Sequence, residues 1–284
     1  MDKLRKPFTI CMNGIRKWSA NPRIYTLAIL LAIFVLNNVN PLTKFSRAMG
    51  YRITPWVFPF LSSSVYAQMK MMFGIVFLFC DAPFINTSQP YQVIRSGRIQ
   101  WGIGQVLYIM CGTAIYFMFI IILSILIISP IMFFSDSWGK ILSTLAQTNA
   151  GNSFNIPLQI SYQIQSSYSP IQAFCLSIIL NWCCGTILGL IIFITNIYYK
   201  KSVGAAVSFM VVCLDMVIKN ALPSYMYKIS PVSMARLTVL DPSGISVRPT
   251  NIYAYFIFLL TIVLLSFFAV LSVRKLEIQV LPPV

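Results

Sequence analysis

Residues 251–273, NIYAYFIFLLTIVLLSFFAVLSV, hold no charged side chain. As a helix rising 1.5 Å per residue they reach about 34 Å, enough to cross the hydrocarbon core of a bilayer. A backbone in lipid must satisfy its own hydrogen bonds, so an isolated run of this kind is confined to a helix. Further apolar runs lie at about 22–40, 57–80, 104–130, 171–197 and 203–222. The sequence therefore predicts an all-α membrane protein in which six transmembrane helices form a single domain over residues 1–284. A water-facing fold is not an alternative. Only 10% of the residues are charged and the mean hydropathy is +0.78, whereas a soluble domain carries about 25% charged residues.

The formal net charge of +15 raises the question of nucleic acid. The basic residues flank the apolar runs instead of forming one stripe, which suits the lipid membrane and its anionic headgroups and not nucleic acid. Such contacts are worth about 1 kcal/mol per residue near the surface. Six spans put both ends of the chain on one side. Twelve Lys and Arg lie on that side and eight on the other, with the twelve in short segments beside the spans. The bias predicts cytoplasmic N- and C-termini. No internal repeat is visible, which speaks against an inverted-repeat carrier.

Ahead of the first span, Leu4, Phe8, Cys11, Ile15 and Trp18 recur at helical spacing, with Lys3, Arg5, Lys6, Arg16 and Lys17 around them. Residues 1–20 read as an amphipathic interfacial helix, with a disordered basic tail as the alternative. The interruptions by Pro7, Asn13 and Arg16 differ from a signal peptide. Asn21-Pro22 is a cap and first-turn pair that starts a new helix. The second run is the least regular, with Pro59, Ser62 to Ser64 and Lys70. Its first part reads as an approach to the membrane, and Lys70 either snorkels or faces a protein or water cavity. Asp215, the one acid inside a predicted span, is expected to pair with Lys219 one turn on, or to line a polar path. Gly185 and Gly189, and Gly204 with Ser208, are spaced for close helix approach in lipid; spacing does not say whether the partner helix is in the same chain. Residues 135–170 and 223–250 read as loops.

Several chemistries are missing from the sequence. There is no histidine, and the six acidic residues are scattered, so no carboxylate pair or activated nucleophile is expected. No phosphate-binding loop occurs, and Gly102-Ile-Gly104 lacks the context of a nucleotide fingerprint. The seven cysteines fall in or beside apolar runs and read as small buried hydrophobes. The expectation is a chain that is not an enzyme and binds neither metal nor cofactor.

Between the second and third spans lies CDAPFINTSQPYQVIRSGRIQWGIGQ, Cys80 to Gln105, where two or three residues would turn the corner. Its prolines stiffen it, and Phe84, Tyr91, Trp101, Arg95 and Arg98 are of the types that dominate protein interfaces. Interfacial anchoring by the same Trp, Tyr and Arg remains open. The six-span layout, together with Asp81-Ala-Pro-Phe84 and Arg95-x-Gly97-Arg98-x-x-Trp101-x-x-x-Gln105-x-x-Tyr108, resembles the permease subunit of bacterial ABC-2 type exporters, in their Gram-positive branch. That resemblance implies a multi-pass protein of a bacterial plasma membrane. It implies pairing with a second permease subunit, identical or different, and binding of a cytosolic ATP-binding-cassette ATPase subunit that holds ATP and magnesium. It also implies that Asp81, Pro83, Phe84, Tyr91, Arg95, Arg98 and Trp101 belong to a cytoplasmic coupling helix docked on that ATPase. The exported substrate would be hydrophobic or amphiphilic: a peptide, a lipid or a drug. Two alternatives stand beside it, a membrane-embedded immunity or sensor scaffold that does not pump, and an independent secondary carrier or channel.

Overall fold

The computed structural model describes residues 2–83, 89–199 and 201–275. All regular structure among them is helical apart from one isolated bridge between Ile53 and Met132. The chain runs through α1 (Asp2–Arg16), α2 (Pro22–Met49), α3 (Phe58–Leu61), α4 (Val65–Phe79), α5 (Gln89–Ser96), α6 (Arg98–Ile128), α7 (Gly139–Gln147), α8 (Tyr162–Ser167), α9 (Pro170–Tyr198), α10 (Lys201–Ala221), α11 (Pro231–Met234) and α12 (Asn251–Ser272). Five helices, over Pro22–Met49, Arg98–Ile131, Pro170–Tyr198, Ser202–Ala221 and Asn251–Ser272, are long and apolar enough to cross a membrane.

The long helices begin where the local chemistry says they should. The Asn21 side chain accepts a hydrogen bond from the Arg23 amide, and Pro22 occupies the first helical position of α2. Ser169 and Gln172 form a reciprocal capping box at the start of α9. Thr250 caps α12 by accepting from the Tyr253 amide. Helix α2 differs from expectation at its far end. It continues past residue 40 to Met49 and stops at Gly50, whose φ of 71° closes the helix in the left-handed region. The extra turns are held by packing: Leu42 and Phe45 are buried, and the Phe45 ring meets Phe154 edge-on at 5.3 Å.

The run over 57–80 is not one spanning helix. It divides into α3 and α4, separated by Ser62–Ser64. The fifteen residues of α4 rise about 22 Å, less than a hydrocarbon core. Pro59 and three successive serines, whose hydroxyls compete for backbone partners, account for the break; the Ser62 and Ser63 hydroxyls donate to the carbonyls of Pro59 and Phe60. Phe58 to Val65 are buried throughout, so this irregular backbone is enclosed by protein.

Helix α9 is the centre of the bundle. In its most apolar window 61% of the residues are buried, against 17–33% in the other four long helices, and it packs on α4, α6, α10 and α12. The two segments expected to be loops carry structure. Residues 135–170 contain α7 and α8, with Ile141, Leu142 and Ile164 buried. Residues 223–250 contain α11, and the chain from Ser230 to Ala235 is almost wholly inside. Beyond it, hydrogen bonds from the Ser243 side chain first and then from Ser246 hold the Asp241 carboxyl below the usual carboxylate range.

Helix α1 lies along α6. The face expected to meet lipid is divided: Cys11 is buried, Ile15 and Trp18 are half-buried, and Phe8 is 60% exposed. The Trp18 indole donates to the Tyr108 hydroxyl at 2.6 Å. Gly104 permits the close approach, since a Cβ there would stand 2.9 Å from Ile10 and 3.1 Å from the Pro7 carbonyl.

Candidate functional site: the α5 surface and the polar core

The insert folds as a short helix between two apolar ones. In α5, Val93 points inward while Tyr91 and Ile94 are 65% and 69% exposed and Arg95 is exposed beside them. Gly97, at φ 86° and ψ 150°, turns the chain into α6. That backbone region is open essentially to glycine alone and strains other residues by about 1–3 kcal/mol. Gly97→Ala is therefore expected to lower thermal stability by that amount, measured as the loss of monodisperse protein in a detergent heating series.

The expected docking residues do not share one role. Tyr91 and Arg95 face outward from α5. Arg98 is exposed, but its guanidinium donates to the Arg274 carbonyl at 2.7 Å, which fastens the start of α6 to the end of α12. Trp101 is 1% exposed and packs near Phe193, so it anchors α6 internally and cannot be a surface contact. Its position four residues beyond Gly97 puts it one turn into a helix whose inner face is apolar. Asp81 pairs with Arg23 at the start of α2, both side chains being about half exposed. Pro83 is buried, and Phe84 lies outside the described residues. The sequence reading missed α1 as part of this region: Arg5, Lys6 and Asn13 face Gln92, Arg95 and Ser96 across a cleft of about 570 Å³. Only the fold brings residues ninety positions apart into one basic surface.

A second polar cluster lies inside the bundle. Asp215, on α10, has no exposed surface. Its Oδ1 accepts from Arg236 Nη2 at 2.6 Å and from the Ser233 hydroxyl at 2.5 Å. The expected pairing with Lys219 does not occur, because Lys219 stands over the Tyr66 ring, 5.7 Å from its centroid. The partner comes instead from the segment after α11, which enters the core from a predicted loop. Nearby, Gln68 donates to Asn181 at 2.8 Å, and Asn181 donates to the Ser177 and Ala235 carbonyls. Lys70 shares α4 with Gln68 but faces the other way. It is exposed, in a groove bounded by α2, α4 and α10.

The small residues pack within the chain. A Cβ on Gly189 would come within 2.6 Å of Ile109 and 3.1 Å of Phe79, and one on Gly185 within 3.2 Å of Phe117. Those glycines seat α9 on α6 and α4. Gly204 and Ser208 seat α10 on α9: Gly204 donates its amide to Asn196 Oδ1 at 2.8 Å, and the Ser208 hydroxyl reaches the Leu188 carbonyl at 3.4 Å. Asn196 was not singled out by sequence, yet its amide also donates to the Cys80 and Ala82 carbonyls at 3.2 and 2.7 Å. Among the cysteines, Cys11 and Cys184 are buried and Cys175 is exposed. Burial pushes the Cys11 thiol up to about 12, far from a reactive thiolate. Among the described residues no group of His, Cys, Asp or Glu converges as a metal site.

Compared with family models, with curated proteins and with solved structures, the chain matches none.

Proposed function

We propose that this chain is the membrane-spanning subunit of an exporter driven by a separate cytosolic ATP-binding-cassette ATPase. The observation that carries the reading is α5. A helix between two apolar elements turns an aromatic, an aliphatic and a cationic side chain outward, and Arg5 and Lys6 of α1 extend that surface. Aromatic and arginine anchors are what a docked partner buries. In this reading α4 completes six crossings despite its length, because the buried α3 and Ser62–Ser64 continue its path inside protein, where non-helical backbone is tolerated. Both termini and α5 then lie on the cytoplasmic side, where the Lys and Arg bias favours them. Helix α1 lies in the interface with Phe8 toward lipid, and the exposed row Phe256, Leu259, Val263 and Phe267 of α12 is available to lipid or to a second permease subunit. ATP and magnesium belong to the ATPase.

The test is copurification from the native host in mild detergent. The wild-type chain is expected to bring a stoichiometric cytosolic ATPase. The Y91A/I94A/R95A variant, altered only on the outer face of α5, is expected to insert normally and to lose at least tenfold of it. Equal recovery from that variant would remove α5 as the docking element, and a wild-type complex without any ATPase would remove the exporter reading.

A further inference from the structure

We infer that the lateral groove between α2, α4 and α10 binds an anionic amphiphile, with its alkyl chain against the apolar walls and its carboxylate or phosphate on Lys70. The groove measures about 610 Å³ and is lined by Leu27, Leu31 and Phe34 from α2, Phe73 and Phe77 from α4, and Phe209 from α10. This volume is in the range of small-molecule sites, about 300–1,000 Å³. Lys70 is the one charged residue among its lining residues.

The charge needs a counterpart. Under the six-crossing reading proposed above, Lys70 lies at hydrocarbon depth, where a cation costs about 2.5–3.5 kcal/mol on insertion scales, and among the described residues it has no ion-pair partner. Asp81 and Asp215 are committed elsewhere, to Arg23 and to Arg236. Escape to water is poor in both directions along α4. Cys80, at the end of the groove, is ten residues away, about 15 Å along a helix, more than a lysine side chain covers. Toward the other end, Tyr66 occupies the same face one turn on, and the Lys219 ammonium already stands over its ring. Snorkelling that way brings two cations together. An anionic group at Lys70 removes the cost and places its chain among the groove's aromatic and leucine side chains. The site is separate from ATPase docking, because its readout is binding; failure of the copurification test would leave it standing.

The test uses the full chain in phosphatidylcholine vesicles carrying trace photoactivatable probes: a long-chain fatty acid and its neutral alcohol, and acyl-labelled phosphatidylglycerol and phosphatidylcholine. Crosslinks are mapped by mass spectrometry to the peptides containing Phe73–Cys80 and Ala205–Phe209. The expected result is about tenfold greater labelling by an anionic probe than by its neutral match. Lys70→Gln is expected to abolish that preference, Lys70→Arg to keep it, and Leu30→Trp, on the exposed rim of the groove, to lower labelling by all probes. Preference for the fatty acid alone supports a free carboxylate ligand, and preference for phosphatidylglycerol supports a membrane phospholipid. Equal labelling by anionic and neutral probes shows ordinary lipid filling and overturns the assignment. So does an anionic preference that survives in a folded Lys70→Gln protein.

Discussion

Arg236→Met is expected to destabilise the chain by about 3–5 kcal/mol, the cost of breaking a buried ion pair from one side. Asp215 has no exposed surface and Arg236 is 4% exposed. With the guanidinium gone, the carboxylate keeps only the Ser233 hydroxyl on Oδ1 and loses the one cation that faces it among the described residues. Asp215→Asn strands the guanidinium in the same way. The double variant D215N/R236M is the discriminating measurement. It removes both charges, and replacing a buried pair by neutral groups is often close to neutral in stability. Each single variant should therefore lose most of its monodisperse protein at temperatures the double variant withstands. Additive losses in the double variant would show that the two side chains act separately. Lys219→Ala serves as the control, since Lys219 takes no part in the pair.

The pair also explains why a proline-bearing loop is inside the molecule. Ser230 caps α11 by accepting from the Ser233 amide, which aims the Ser233 hydroxyl and the following arginine at α10. The Thr238 hydroxyl then donates to the Ser63 carbonyl at 3.2 Å, in the break between α3 and α4. This bond ties the two irregular segments of the bundle together and gives the Ser63 carbonyl a partner that a regular helix would have supplied internally. Where backbone leaves the helix inside a membrane protein, partners have to come from elsewhere in the chain. Loss of Arg236 should accordingly loosen α11 and the Ser62–Ser64 break together. Hydrogen exchange in both segments measures this.

The apolar runs made the long helices legible, because twenty or more residues without charge have few other folds, and Asn21-Pro22 marked one start by local chemistry. The places that were not legible depend on distant residues. Nothing local distinguishes Lys219 from Arg236 as the partner of Asp215. Helical spacing favoured the nearer residue, and the fold delivered the one that α11 carries inward. Trp101 reads from sequence as an interface anchor because its type suits one; only the rotation of α6 decides that it faces Phe193. Gly185 and Gly189 announced a close approach but not the helix that makes it. A helix in the polar insert was expected only through the resemblance to the permease family, and its alignment with α1 needed the packing of Gly104 against Ile10.

Asn196→Leu is expected to cost about 3 kcal/mol and, under the exporter reading, to separate ATPase recruitment from transport. Three groups lose their partner at once: the Cys80 and Ala82 carbonyls and the Gly204 amide. An orphaned buried polar group costs about 1–3 kcal/mol, and partial access of water at the helix ends keeps the sum toward the lower part of that scale. The position of Asn196 makes the functional half of the prediction. One side chain near the end of α9 holds the exit of α4, where the polar insert begins, and the first turns of α10. Movement imposed on α5 has to pass through that insert to reach the bundle, and Asn196 is its hydrogen-bonded link to two long helices. The outer face of α5 is untouched by the substitution. ATPase should therefore copurify with Asn196→Leu at wild-type stoichiometry in protein that remains monodisperse, while ATP-dependent substrate movement falls at least tenfold. Asn196→Asp separates the acceptor from the donors: it keeps the acceptor for the Gly204 amide and sets a carboxylate against the two carbonyls, so it should be at least as damaging as leucine. Full transport by either variant would mean that the conformational signal reaches the bundle by another route, the Arg98 contact with the end of α12 being the next to break.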